Sequence, residues 1–240
     1  MAVRDRRPPR DGSPSTEYPE LADPRESIDK IRIAHLDVVR QLSDVHEGLY
    51  SIDLMLTTAL SRSYSLVEGF ISAFDRWNFF AAAPLLRMQA DSLVRLSYMS
   101  RAEDSEKVAR DFISGVEFRN MRDPDGKRLI DRRLNELASE FHPWVENIYP
   151  ATSGWVHFSP QHFYASWKLD KDSRREGTLG SIQLQIPMAS GAIPPEMVTD
   201  ILEAMIGVTS EIFDYAELWA SRKGLPSGVM RELPRPNTEK

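Results

Sequence analysis

Arg87 and Asp91 stand four residues apart in Phe79 to Leu96, the most apolar stretch of the chain that still carries charge. On a helix, that spacing puts both side chains on one face. Leu85, Leu86, Met88, Ala90, Leu93 and Val94 surround them, so the helix reads as buried on most sides. A buried charge needs a partner, and an Arg–Asp pair is the usual solution. Two readings follow. The pair is a structural ion pair that sets the register of a bundle, or Arg87 faces a cleft and binds a phosphate or carboxylate while Asp91 orients it.

His157 is the second candidate. It lies between Val156 and Phe158 in a segment bounded by Gly154, Ser159 and Pro160. Aromatic neighbours favour a hydrogen-bonded core histidine, whereas loop-forming neighbours favour a functional one. Arg95, Trp155 and Glu68 join the list as ligand-binding residues. Glu68 interrupts an apolar run, and its alternative reading is a partner for Arg87 or Arg95, or an exposed position. Trp155, with Trp144, Phe163 and Trp167, suits stacking on a ligand or burial in a core. His142, His157 and His162 lack the i, i+4 pairing of common zinc sites, so no metal and no cofactor is expected. A phosphate-cradling glycine loop, a nucleophile elbow and a dinucleotide fingerprint are all absent.

The elements that must position these residues are helical. From Glu26 to Arg62, Ile28, Ile31, His35, Val38, Leu42, Val45, Leu49, Ile52, Leu56 and Ala59 recur at alternating spacings of three and four. Leu36, Val39 and Leu60 widen that stripe, and Gly48 marks a bend or break, so one long helix or two both fit. Tyr64 to Phe74 is helical, and Asn78 is placed to cap the next helix, which Pro84 bends. Asp104 to Met121 and Arg128 to Phe141 are amphipathic, separated by the turn Asp123-Pro124-Asp125-Gly126. Pro143 opens a further helical turn. Alternation through Phe163 to Leu169 and Ile182 to Ile186 predicts a β-hairpin over about 162–187. Pro194-Pro195 opens a last helix to Lys223, whose apolar face should pack on the first. The expected fold is thus a mainly α, multi-helix bundle with one inserted hairpin. A single domain spans 25–223, between a disordered tail at 1–24 with five prolines and a flexible one at 224–240.

Composition narrows the function classes. The chain has 240 residues, a net charge of -6 and no cysteine. Disulfides, thiolate nucleophiles and Cys-ligated metals are excluded, and a cytoplasmic location is expected. The charge offers no general attraction to DNA or anionic membrane. No apolar run approaches the roughly 20 residues that span a bilayer. The seams leave two outcomes open: a homodimer through the first or last helix, or a monomer that buries both.

Leu85-Leu86-Arg87-Met88-Gln89-Ala90-Asp91, followed by Val156-His157-Phe158-Ser159, resembles a broad, largely uncharacterised bacterial helical family. Its pattern is Leu-Leu-Arg-x-x-x-acid with a later Val-His-x-Ser. That family is in turn similar to HEPN helical bundles, many of which are dimeric ribonucleases of toxin–antitoxin and phage-defence systems. The resemblance implies RNA as substrate, Arg87 on the phosphate and His157 as general acid or base. The HEPN signature places an Arg four to six residues before its His. Here no Arg lies between Arg133 and His157. The residues alone favour a binding or regulatory module whose cluster is structural or holds a small anion. A ribonuclease and a metal-dependent hydrolase are the alternatives.

Overall fold

The structure is a computed structural model that describes residues 12–43, 48–157, 159–160, 162, 166–170, 181–184 and 195–223. It is mainly helical. In chain order, the α-helices described end to end are α1 (Pro14–Glu17), α2 (Ala22–Ser43), α3 (Ser51–Phe74), α4 (Phe79–Arg101), α5 (Ser105–Ile113), α6 (Asp131–Ser139), α7 (Val145–Val156) and α8 (Pro195–Arg222). No described helix is long and apolar enough to cross a membrane.

The apolar helix expected around Arg87 is the centre of the bundle. α4 packs on α3, α5, α6, α7 and α8. α2 lies across α3 and α8, so the first and last seams do meet. Val198, Ile201, Met205, Val208 and Ile212 of α8 are buried, as are Ile28, Val38 and Leu42 of α2. The stripe from Glu26 to Arg62 is two helices, not one. Gly48 has φ +86, a left-handed conformation that Cβ-bearing residues resist, and α3 restarts at Ser51. Leu36 and Leu49 belong to the periodic pattern yet are exposed.

Residues 12–24 are packed rather than part of a tail. Leu21 is fully buried, Tyr18 meets Trp77 edge-on, and the Trp77 indole donates to the Gly12 carbonyl at 3.0 Å. Trp77 has φ +60, which is unusual for a large side chain. Burial of its ring between Tyr18 and Phe79 offsets that strain. Asn78 precedes α4, but its side chain makes no cap; its carbonyl accepts from Ala81 and Ala82 instead. Residues 1–11 and 224–240, expected as tails, lie outside the described residues.

Two short strands, β1 (Trp167–Asp170) and β2 (Ser181–Leu184), pair antiparallel with Trp167 opposite Leu184. A full hairpin over 162–187 is not seen among the described residues. His162 and Ser166 are helical, and 171–180 lie outside the description. Residues 163–165, where the expected alternation starts, also lie outside the described residues. α7 continues through Pro150 and Gly154, where the sequence left the conformation open.

A polar network crosses the bundle interior. His35 of α2 holds the Ser63 hydroxyl of α3 at 2.8 Å through Nε2 and the Ile31 carbonyl at 3.0 Å through Nδ1. Burial pushes the His35 pKa down, so the ring is neutral. Nδ1 therefore donates to Ile31, Nε2 accepts from Ser63, and Gln89 Nε2 donates to Ser63 at 2.5 Å. The same amide donates to Thr209 of α8 at 3.0 Å, whose hydroxyl donates to the Met205 carbonyl. Every donor of the network has an acceptor; Gln89 Oε1 alone is left over.

Candidate functional site

The site-forming residues come from α4 and α7. Phe80, Arg87, Asp91 and Arg95 follow one another at helical spacing along α4 and face Tyr149 and Trp155 of α7 or the start of α6. This seam splits the sequence candidates into three groups.

Asp91 pairs with Arg95, one turn further on, and not with Arg87. Arg95 also donates to the Asp91 carbonyl at 3.0 Å and to Asp131 of α6 at 2.9 Å. Burial works against its charge, but Asp91 and Asp131 raise its pKa on balance. Arg95 is thus a satisfied cross-link between α4 and α6.

Arg87 has no carboxylate partner among the described residues. Its guanidinium lies 3.2 Å from the ring centroid of Tyr149, a cation–π contact in a half-buried setting. The Tyr149 hydroxyl is buried and makes no well-formed hydrogen bond. Arg87 sits over the ring face and close enough to the hydroxyl to act on it. Burial pushes the Tyr149 pKa up to about 12; Asp91 acts in the same direction, and Arg87 and Arg95 oppose it. Tyr149 thus remains a neutral donor.

His157 is the C-cap of α7 and is exposed. Its backbone N–H closes on Ser153, and no side-chain contact joins it to Arg87 or Asp91 among the described residues. His162 occupies the inner position instead. Its ring stacks on Phe80 at 5.2 Å and meets Trp155 at 5.9 Å. Trp155 is buried against both, so it serves the packing of α4 on α7. Glu68 is exposed and pairs with Arg32 of α2 at 3.0 Å, away from the seam.

Sequence reasoning missed Tyr149 and a second titratable cluster. His142 accepts or donates at Tyr215 across 2.8 Å, and its Nδ1 lies 3.5 Å from Glu211. Burial, with Arg101 nearby, lowers the His142 pKa to about 4. Arg101 lies 3.6 Å over Phe141 and donates to Ser97 and to the Leu137 carbonyl. Tyr215 also lines a cavity of about 20 Å³, with Ile52, Leu56, Met99, Ser100 and Trp219 among others. It has room for about one water and no larger ligand.

No group of three His, Asp or Glu side chains among the described residues has metal-binding geometry. The seam sets a cation without a described carboxylate partner beside a buried hydroxyl that makes no well-formed hydrogen bond. No protein-family model matches the chain, and no curated protein or solved structure is detectably similar to it.

Proposed function

We propose that the chain is a binding or regulatory module whose α4–α7 seam takes a small oxyanion, with Arg87 and Tyr149 as the ligand-holding pair. One observation carries this reading. A half-buried guanidinium without a carboxylate lies beside a buried hydroxyl without an acceptor. Unmet donors in a partly desolvated site are costly, and an anion with two acceptor oxygens meets both. Asp91 does not compete for Arg87 because Arg95 holds it. RNA, as a polyphosphate, is one form of the ligand. The expected cytoplasmic setting belongs to the same proposal.

A cleavage step would need a proton-transfer group near Arg87. His157 points to no such contact, and a binding role asks less of the geometry. The test is thermal melting in inorganic phosphate against chloride at equal ionic strength. Wild type should gain several degrees in phosphate. Arg87→Met and Tyr149→Phe should each lose that gain while melting within a few degrees of wild type in chloride. A gain that survives Arg87→Met, or no gain for any oxyanion, refutes the site.

A further inference from the structure

The outer face of α2 carries two large apolar side chains that no described residue covers. Ile33 is 59% exposed and Leu36 is 55% exposed. They are three residues apart on a 22-residue helix about 33 Å long. Buried Ile28, His35, Val38 and Leu42 already anchor the opposite face to α3 and α8. Exposed apolar side chains scattered singly are ordinary, but these two are neighbours on one face, flanked at seven-residue offsets by charged and polar residues. Glu26, Ile33 and Arg40 occupy one seam position, and Asp29, Leu36 and Ser43 the other.

Charge order along that seam selects the occupant. An antiparallel copy of the same helix, with its two-fold axis between residues 34 and 35, sets Ile33 opposite Leu36. The next layer sets Asp29 opposite Arg40, and the last sets Glu26 opposite Ser43. At the flank, Lys30 falls beside Asp37. Both charged pairs have opposite sign. A parallel copy would set Asp29 on Asp29 and Arg40 on Arg40, which repel. Among the described residues, Lys30 pairs with Glu26 and Asp37 with Arg40, all well exposed, while half-exposed Asp29 is held by Arg25 at 2.6 Å and lies near Arg32, so Arg40 of a second copy would share it. Well-exposed pairs exchange partners at little cost.

We propose that the outer face of α2 is the seam of a weak antiparallel homodimer, in which Ile33 and Leu36 of one copy meet Leu36 and Ile33 of a second. The interface is isologous, so each contact occurs twice. One helix pair with a two-residue apolar centre belongs to the class below about 1,200 Å², and its association is micromolar and concentration-dependent.

The experiment is sedimentation equilibrium of the full chain from about 1 to 500 µM, with melting curves for each variant. Wild type should pass from monomer to dimer within that range. Ile33→Glu should remain monomeric throughout. Lys30→Asp should weaken association at least tenfold, and Lys30→Asp with Asp37→Lys should restore it to within about threefold. The charge variants lie on an exposed face, so they test the seam even if Ile33→Glu fails to fold. A wild type that stays monomeric at 500 µM overturns the proposal. So does a dimer indifferent to Ile33→Glu or Lys30→Asp, and so does a double variant that fails to recover.

Discussion

Arg87 and Gln89 are two residues apart on α4 and face roughly opposite ways, since each residue turns the helix by about 100°. The two sides treat polar atoms differently. On the Gln89 side, His35, Ser63, Gln89 and Thr209 form a chain in which each hydrogen has a fixed destination. On the Arg87 side, the charge has no carboxylate partner among the described residues and the buried Tyr149 hydroxyl makes no well-formed hydrogen bond. Both clusters are polar groups in an apolar bundle, and depth of burial alone would rank the Gln89 side as the more interesting. The count of unmet donors reverses that ranking. A closed network ties helices together; an open one leaves room for something else.

The difference has measurable consequences. His35→Ala should be the largest. It deletes a buried ring packed on Phe213 at 4.6 Å and strands the Ser63 hydroxyl. A loss of about 3 kcal/mol is expected, seen as a melting temperature lower by roughly 6–12 °C. Arg87→Met should change stability by less than about 1 kcal/mol, because the side chain is partly solvated and has no ion partner to abandon. Similar losses for the two would erase the contrast.

The His142 cluster offers a test of intermediate size. Its folded pKa, about 4, lies below the ordinary value of 6.5. The unfolded chain therefore takes up a proton first as pH falls. The stabilisation is complete above about pH 6.5 and is lost between there and pH 4. The loss should approach about 2 kcal/mol, since Glu211 at 3.5 Å favours the charged ring and trims the effect. Glu211 and Asp214 have pKa values raised by burial and push the opposite way in acid. The quantity to measure is thus the wild type minus His142→Gln difference across pH 7 to 4. A flat difference would mean that the ring is not held neutral.

The smallest effect sharpens the closed side. Gln89→Met removes an orphaned carbonyl together with two donated bonds. The Ser63 and Thr209 hydroxyls keep their own donations to His35 and Met205. The change should lie within about 1 kcal/mol of zero by denaturant titration. A cost nearer that of His35→Ala would place Gln89 at the centre of the network instead of at its edge.

Much of the frame was legible in the sequence. The periodic apolar positions of α2, α3, α4 and α8 form the core, because long amphipathic segments leave little choice of face. Short segments were less readable. Phe112, Ile113 and Val116 follow the α5 pattern yet stay exposed, since α5 stops at Ile113 and Gly115 turns the chain at φ +91. At the site, Arg87 and Asp91 were named, but their pairing was not decidable by spacing, because Arg95 lies equally far on the other side. A usable signal existed: an acid N-terminal to its base at i, i+4 is the better orientation, which favours Asp91 with Arg95. Tyr149 left no such trace. Its role depends on how α7 lies on α4, and neither helix states that alone.

The first turn of α3 shows how late in the chain this fold is completed. Asp53 accepts from its own Tyr50 N–H, from the Trp219 indole at 2.6 Å and from Lys223 at 3.0 Å, with both charged side chains about 3% exposed or less. Asp53 and Trp219 are separated by 166 positions in sequence. In kinetic terms this is a contact of high loop-closure cost, so it belongs after the rate-limiting collapse and acts on the unfolding rate more than on the folding rate. A nascent chain that has not yet released Lys223 carries Asp53 without that cation, and the α3–α8 end of the bundle stays unlocked until Lys223 has emerged.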